Sequence, residues 1–168
     1  MKFEISHTFK NISVDRYTKL FFDDAFNDAI KPIAGLKSRE VLEKRDEGPL
    51  MHRRTRVIPD RDFPGPMKAL LKGGELSYEE TTTMDWNRRI QTFSSKLNFT
   101  DKIKIGGEIH FTEAPNGGTK RTLYLDVTAN IFGLGGMIET KTKENLIETY
   151  NKIARFTQQW IDDGKAPA

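Results

Sequence analysis

The chain has 168 residues, of which 36% are hydrophobic and 30% are charged, and it contains no cysteine. This length suits one domain that buries about 70% of its unfolded surface without disulfide or metal support. The lack of cysteine excludes a disulfide framework, thiolate metal ligands and a cysteine nucleophile. No apolar stretch approaches the roughly 20 residues of a membrane-spanning helix, so we expect one soluble, cytoplasmic domain over residues 1–168.

The charges are nearly balanced and interleaved along the chain. Twenty-seven basic and 24 acidic residues give a net charge of +3. The densest basic cluster, at Arg53, Arg54 and Arg56, is divided on a strand, since alternation sends Arg53 to one face and the other two to the opposite face. Nucleic-acid-binding proteins concentrate their basic residues on one surface. We therefore expect no nucleic-acid partner.

The first elements are a strand and a helical segment. Residues Lys2 to Phe9 alternate between polar and apolar, which indicates a half-buried strand. Ser13 is a good helix N-cap, and apolar residues from Val14 to Ile30 recur at helical spacing. This spacing allows one helix or two short helices separated near residues 22–24.

The middle of the chain has the composition of an antiparallel meander. Strand-forming residues and short turns predict strands at 36–46, 50–58, 75–84, 87–97, 103–113 and 120–131. The long connection at 59–74 holds three prolines and then a short helical run, Met67–Leu71. Long loops in compact domains are usually functional, so we interpret 59–74 as a lid-like segment.

The last element is a long amphipathic helix, predicted over 136–163. Its apolar stripe follows a 3.6-residue period, and charged residues occupy the opposite face. A sheet with one polar face must bury the other, and only this helix is long enough to cover it. The fold class expected is therefore α+β, with a seven-stranded curved antiparallel sheet around the C-terminal helix and a helical segment after the first strand.

This order of elements resembles the START-like (SRPBCC) superfamily, whose helix-grip fold is shared by the major birch-pollen allergen and the polyketide cyclases. Local motifs are similar to a bacterial branch of it defined as a domain of unknown function. They are Met1-Lys2-Phe3-Glu4, Thr55-Arg56-Val57-Ile58-Pro59, Phe63-Pro64-Gly65, Leu76 to Thr82 before Trp86, Gly135-Gly136-Met137-Ile138-Glu139, Phe156-Thr157 and Trp160-Ile161. The resemblance covers nearly the whole chain and implies that a lipid, sterol, hormone or polyketide is bound, or in some members that a cyclase or hydrolase reaction is catalysed.

Signatures of catalysis or metal binding are weak. The glycines at 133–136 lack the pattern of a dinucleotide or phosphate loop and are interpreted as the joint between a strand and the last helix, with Glu139 either in its first turn or near the cavity mouth. His7, His52 and His110 lie on separate predicted strands, and no nucleophile elbow is present. We expect no cofactor and no metal, and no catalytic residue is assigned.

Polar residues on two strands form a candidate cavity site. Apolar residues at the strand ends favour an inward face carrying Arg54 and Arg56 on one strand, and Tyr78 and Glu80 on the next. An inward Arg–Glu pair would orient a ligand carboxylate, because arginine offers a bidentate fork. The alternative is a solvent-facing ion pair across the strands, of little energetic value.

An apolar lining is expected around these polar groups. Its candidates share the inward parity of their strands or the apolar stripe of the helix: Phe93, Ile105, Ile109, Phe111, Leu125, Val127, Leu146, Tyr150 and Ile153. The same residues would form either a packed core or a cavity wall. Gly107 interrupts its strand, where the missing side chain makes a bend or leaves room.

Three functions remain open from the sequence. The first is binding of a hydrophobic or amphipathic, lipid-like small molecule between the sheet and the helix. The second is an enzyme of the same fold, with Glu80, Tyr78 and His7 as candidate acids or bases. The third is a filled core whose domain acts through its surface. The oligomeric state is not predicted.

Overall fold

A computed structural model describes residues 1–60 and 65–168, with only the backbone at 66 and 67. Its elements in chain order are β1 (Lys2–Phe9), α1 (Val14–Phe21), α2 (Asp24–Ile30), β2 (Leu36–Glu47), β3 (Leu50–Pro59), α3 (Gly65–Leu70), β4 (Tyr78–Asp85), β5 (Ile90–Leu97), β6 (Ile103–Glu113), β7 (Thr119–Ala129) and α4 (Gly135–Asp162). A short 3-10 turn, Pro115–Gly117, joins β6 to β7.

All seven strands form one antiparallel sheet in the order β1-β7-β6-β5-β4-β3-β2. Strands β2 to β7 pair with their neighbours in sequence, whereas β1 pairs with β7. The helices α1 and α2 therefore connect the two edge strands, β1 and β2. Helix α4 packs against β1 and β7. The α+β helix-grip architecture expected from the sequence is confirmed.

Side-chain caps divide the first helical segment into two helices. The Ser13 hydroxyl accepts a hydrogen bond from the backbone N–H of Arg16 at 3.3 Å, at the start of α1. A carboxylate oxygen of Asp23 accepts one from the backbone N–H of Phe26 at 3.0 Å, at the start of α2. Each cap satisfies an N–H that has no partner within its helix. The break therefore lies within the predicted interval, 22–24.

The segment at 59–74 is described only in part. Residues 61–64, which include most of the Phe63-Pro64-Gly65 motif, lie outside the described residues. The short helix α3 is described and begins before the predicted run Met67–Leu71. The lid-like role of 59–74 stays a prediction.

Two apolar clusters occupy opposite ends of the space between sheet and helices. The larger one centres on buried residues of α1, β1, β6 and β7, including Phe9, Tyr17 and Leu123. The smaller one includes Leu97 and Ile138. The N-terminal part of α4 thus packs into the smaller cluster, and its C-terminal part packs into the larger. Within the described ranges, no helix combines the length and apolar character needed to cross a membrane.

The glycines at 133–136 form the joint between β7 and α4 that was predicted for them. Gly133 has a φ of +72°, and a Cβ at Gly135 would overlap the carbonyl oxygen of Ala129. Glu139 accepts a hydrogen bond from the backbone N–H of Ala129 at 2.9 Å, and its carboxylate lies 3.8 Å from the terminal amine of Met1. Glu139 therefore ties the helix to β7 and does not line the cavity.

Candidate functional site

A cavity of about 280 Å³ lies between the sheet and α4. Strands β2 to β7 contribute its floor, α4 contributes its roof, and α1 and α2 contribute one wall. This position follows from the fold, because a curved sheet approaches a straight helix closely only at its ends.

One end of the cavity is apolar. Val57, Tyr78 and Leu97 are direct cross-strand neighbours on β3, β4 and β5, and all three line the cavity. Leu76 and Ile103 join them there, and other apolar residues of the lining are Ile30, Leu36, Ile105, Leu146 and Ile153. This end adjoins the smaller apolar cluster.

Further along the same strands, the lining becomes polar. Glu80 and Ser95 are paired across β4 and β5, two residues beyond Tyr78 and Leu97. Arg53 lies two residues beyond Thr55, the partner of Glu80, and Gln91 lies four beyond Ser95 toward the same end. Successive inward positions therefore change from apolar to charged, so the cavity is amphipathic.

Arg121 on β7 is the most deeply buried charged residue among those described, with 1% of its surface exposed. Its Nη1 donates a hydrogen bond to the Tyr17 hydroxyl at 3.0 Å, and its Nη2 lies 3.1 Å from Nδ1 of His7. The guanidinium also lies over the rings of Phe9 and Tyr150, at 5.2 and 5.4 Å from their centroids. Stacking on aromatic rings stabilises a buried cation. Its Nε has no hydrogen-bond partner in the described part of the chain.

Arg53 on β3 is the second arginine of the cavity. Its guanidinium lies 5.3 Å from the centroid of the Phe22 ring, and its buried Nε has no hydrogen-bond partner among the described residues. Burial lowers the pKa of Arg53 to about 10, and the positive charge of Arg39 lowers it in the same direction, against the effect of Glu80. Arg53 thus stays charged at neutral pH in an environment that compensates its charge incompletely.

Arg39 and Tyr150 are two further polar residues of the lining. The backbone of Arg39 lies opposite Val57, at the level of the apolar residues. Nη1 of Arg39 donates a hydrogen bond to Oδ1 of Asn27 at 2.6 Å, which anchors this arginine to α2. Burial raises the pKa of Tyr150 to about 12, and the negative charge of Glu80 contributes to the rise. Tyr150 is therefore a neutral hydroxyl group at physiological pH.

The expectation that Arg54 and Arg56 face the cavity is wrong. Both arginines lie on the outer face of β3, where their guanidinium groups contact the carboxylate of Glu79 at 3.2 and 3.4 Å. These contacts hold the pKa of Glu79 below its usual value. The solvent-facing alternative is the arrangement found, with Glu79 as the acidic partner.

The error lies in the parity assigned to β3. Leu50 and Ile58 suggested that the even-numbered residues face inward, but both are only half-buried strand ends. Met51, Thr55 and Val57 are the buried residues of this strand. Arg53 shares their parity and consequently enters the cavity. The apolar residues Met51 and Val57 around Arg53 were the signal that could have identified it.

Most of the other predicted lining residues do line the cavity. They are Tyr78, Glu80, Phe93, Ile105, Ile109, Leu125, Leu146, Tyr150 and Ile153. Phe111 and Val127 also face inward and are buried, with 2% and 0% of their surface exposed, but they are packed into the core away from the cavity. Sequence reasoning missed Arg39, Gln91 and Arg121, because their neighbours in sequence are mostly polar and they form no recognisable motif.

The three histidines do not converge. His7 contacts Arg121, His52 lies 3.0 Å from the Thr83 hydroxyl, and His110 lies 2.7 Å from Glu108. Among the described residues, no group of three or more His, Asp or Glu side chains is arranged to hold a metal ion.

Similarity to a known family extends over most of the chain. A family model described as "Protein of unknown function (DUF2505)" matches residues 4–161. No curated protein matches the chain.

Solved structures with a similar fold are numerous. TTHA0849 from Thermus thermophilus is 16% identical at a TM-score of 0.68, over 99% of this chain and 100% of that one. The ZhuI aromatase/cyclase from Streptomyces sp. R1128 is 14% identical at 0.67, over 96% and 95%. A START superfamily protein from Mycobacterium smegmatis is 14% identical at 0.63, over 94% and 97%. Identities this low establish a shared START-like fold and nothing further about activity.

Proposed function

We propose the following function for this chain, which belongs to the DUF2505 family of proteins of unknown function: it binds a hydrophobic or amphipathic, lipid-like small molecule in the cavity between the sheet and α4. The observation that carries the proposal is the cavity itself, which lies inside the fold and has apolar walls at one end. A domain that worked only through its surface would gain stability by filling this volume, since unfilled volume is destabilising.

The size of the cavity suits a small ligand. Its volume of about 280 Å³ lies near the lower end of the range of about 300–1,000 Å³ found for small-molecule sites. At about 30 Å³ for each water molecule in the liquid, it holds the equivalent of roughly nine waters. A single medium-length alkyl chain or a small ring system fits this volume better than a multi-chain lipid.

Unpartnered polar atoms favour a ligand with a polar group. Nε of Arg53, Nε of Arg121 and Oε1 of Gln91 are buried without hydrogen-bond partners among the described residues. Buried polar atoms are nearly always paired in proteins, and these three belong to residues that line the cavity. A ligand whose polar end lies near them and whose apolar end lies near Leu97 would match both halves of the lining.

The neighbours in structure support the proposal only at the level of the fold. One of them is called an aromatase/cyclase and another a START superfamily protein. Folds host many functions, so the cavity's own residues carry the argument.

Two measurements test the proposal. Native mass spectrometry of protein purified from its own cells is expected to show a bound molecule that is lost after organic extraction. The extracted protein is then expected to bind the neutral fluorophore N-phenyl-1-naphthylamine with a stoichiometry of one. Absence of both a co-purifying molecule and fluorophore uptake would overturn the proposal.

An enzyme of the same fold is the second candidate. Glu80 and Tyr78, two of its expected acid or base groups, line the same cavity. The third, His7, contacts Arg121 and is not part of the described lining. The Glu80→Gln substitution separates this role from binding alone, since it should abolish turnover and leave the ligand bound.

A further inference from the structure

We propose that the cavity selects an amphiphile with an anionic head group, and that Arg53 donates the hydrogen bonds that bind this group. The inference deepens the proposed function and depends on it. It names the chemical class of the ligand, an apolar chain or ring that carries one carboxylate or a similar oxyanion, and the residue that recognises it.

The charges of the lining are unequal. Arg39, Arg53 and Arg121 contribute three positive charges to the described lining, and Glu80 contributes one negative charge. The fourth basic lining residue, Lys141, is exposed and forms an ion pair with Glu144 at 2.8 Å. The cavity therefore carries an excess of about two positive charges that its own acidic residue does not neutralise.

Arg121 is buried and Arg39 and Arg53 are half-buried, and charge removed from water is costly unless a counter-charge is supplied. The described hydrogen bonds of Arg121 go to Tyr17 and His7, neither of which is acidic at neutral pH. The positive charge of Arg39 disfavours the charge of Arg53, and Glu80 and Asp24 oppose this effect. An anion in the cavity would compensate both effects, whereas a neutral ligand would compensate neither.

Arg53 is the arginine best placed to contact the ligand directly. The guanidinium of Arg121 is held by two hydrogen bonds and two aromatic rings, and Arg39 is held by Asn27. Arg53 is packed against one ring, Phe22, and its Nε has no partner among the described residues. A guanidinium group with free donors forms paired, nearly parallel hydrogen bonds with a carboxylate. Arg39 and Arg121 then act through their positive potential.

The apolar end fixes the rest of the ligand. On β3, Arg53 and Val57 share one face of the strand. Val57 is paired with Tyr78 on β4, which is paired with Leu97 on β5. Four residues of extended strand span about 13 Å. A carboxylate at Arg53 would therefore place a medium-length chain along the strand, between Phe93 and the apolar residues of α4.

The experiment compares decanoate with 1-decanol, two ligands with the same chain and different head groups. Each displaces N-phenyl-1-naphthylamine from wild type, Arg53→Met and Arg54→Met at pH 7.5. Arg54→Met is the matched control, because Arg54 is adjacent in sequence but faces solvent beside Glu79. Thermal unfolding by circular dichroism establishes that each variant is folded.

Wild type is expected to bind decanoate at least tenfold more tightly than 1-decanol. Arg53→Met is expected to weaken decanoate binding at least tenfold and to leave 1-decanol unchanged, and Arg54→Met is expected to change neither. Equal binding of acid and alcohol by wild type would overturn the inference even if Arg53→Met does not fold. So would equal effects of the Arg53 and Arg54 substitutions. If the fluorophore binds but the head group makes no difference, only this inference fails; if nothing binds, the proposed function fails with it.

Discussion

Arg121 and His7, on the adjacent strands β7 and β1, face each other across 3.1 Å between Nη2 and Nδ1. Arginine has no hydrogen-bond acceptor, so Nδ1 of His7 must be unprotonated and accept from it. The proton of the neutral ring therefore lies on Nε2, which is 2.8 Å from Oδ1 of Asn151 on α4 and donates to it. The pair thus links the buried arginine of the sheet to the C-terminal helix through one histidine tautomer.

This tautomer predicts a pH dependence of stability. Burial lowers the pKa of His7 below its usual 6.5, the Asn151 hydrogen bond acts in the opposite direction, and the charge of Arg121 lowers it further. The unfolded chain therefore binds a proton at His7 more tightly than the folded chain does. The contribution of neutral His7 to the free energy of unfolding is complete above pH 6.5 and is lost as the pH falls through the lowered pKa of the folded state. The free energy of unfolding, measured in urea between pH 7.5 and 5, is expected to decrease accordingly.

The His7→Gln variant is the control for this prediction. Glutamine keeps a hydrogen-bonding side chain but does not titrate, so the variant is expected to show a smaller decrease over the same pH range. Identical pH dependence in wild type and variant would contradict the assignment of the effect to His7.

A larger side chain at Ser95 is expected to block the cavity. Ser95 faces the cavity between Glu80 and Ile105, its partners on the neighbouring strands. Ser95→Leu should fill part of the volume and weaken binding of N-phenyl-1-naphthylamine roughly tenfold, which corresponds to about 1.4 kcal/mol. Fluorescence titration measures the effect. Ser94→Leu, on the exposed face of the same strand, should leave binding unchanged, and a similar loss in both variants would show that the fluorophore binds elsewhere.

The adjacent carboxylates Glu79 and Glu80 offer a test of the role of charge in the cavity. Glu80 lines it, whereas Glu79 forms ion pairs with Arg54 and Arg56 outside. Glu80→Gln removes the only acidic group of the described lining, so decanoate should bind about fivefold more tightly, the equivalent of ~1 kcal/mol of relieved repulsion. Binding of 1-decanol should not change, and Glu79→Gln should affect neither ligand.

The same variant discriminates binding from catalysis. If Glu80 acts as an acid or base on a substrate found by co-purification, Glu80→Gln should abolish turnover of that substrate while the protein still binds it. Retained turnover would exclude Glu80 from the chemistry. For the binding prediction, weaker binding of decanoate by Glu80→Gln than by wild type would contradict the electrostatic repulsion expected from Glu80.

Gly107 is expected to be intolerant of substitution. It lies within β6 opposite Phe93 and Leu125, has a φ of +155°, and a Cβ there would overlap the carbonyl oxygen of Tyr124. Gly107→Ala should lower the free energy of unfolding by about 2 kcal/mol or more, as expected when backbone must shift to relieve a clash. Gly136→Ala is the control, because a Cβ at this helical position meets nothing within 4 Å. Urea denaturation showing equal stability of the two variants would refute the packing argument.

The elements themselves were predictable because they depend on local patterns. Alternation from Lys2 to Phe9 and the 3.6-residue stripe of α4 each reflect which positions can be buried. The break between α1 and α2 was predicted only as an alternative, since Asp23 is a strong cap but the helical spacing continues across it. The role of Gly107 was also ambiguous in the sequence. Only the position of the Tyr124 carbonyl on the neighbouring strand shows that no residue with a Cβ fits there.

The parity of β3 shows why the site was less predictable than the fold. Apolar residues occur at both parities of this strand, with Leu50 and Ile58 at one and Met51 and Val57 at the other. A shift of one residue exchanges every inward and outward side chain of a strand. Because the end residues Leu50 and Ile58 were interpreted as facing inward, Arg54 was assigned to the cavity and Arg53 to the outer face. The register with Tyr78 and the curvature of the sheet, which resolve the choice, depend on residues far away in sequence.

By itself, the sequence determined that seven antiparallel strands and a long amphipathic helix must pack together, because that information is periodic and local. Only the tertiary structure decided that about 280 Å³ stays open between them and that Arg39, Arg53 and Arg121 face this space. Both outcomes depend on the distance between α4 and the curved sheet. That distance is set by the packing of many side chains at once, and no single segment of the chain encodes it.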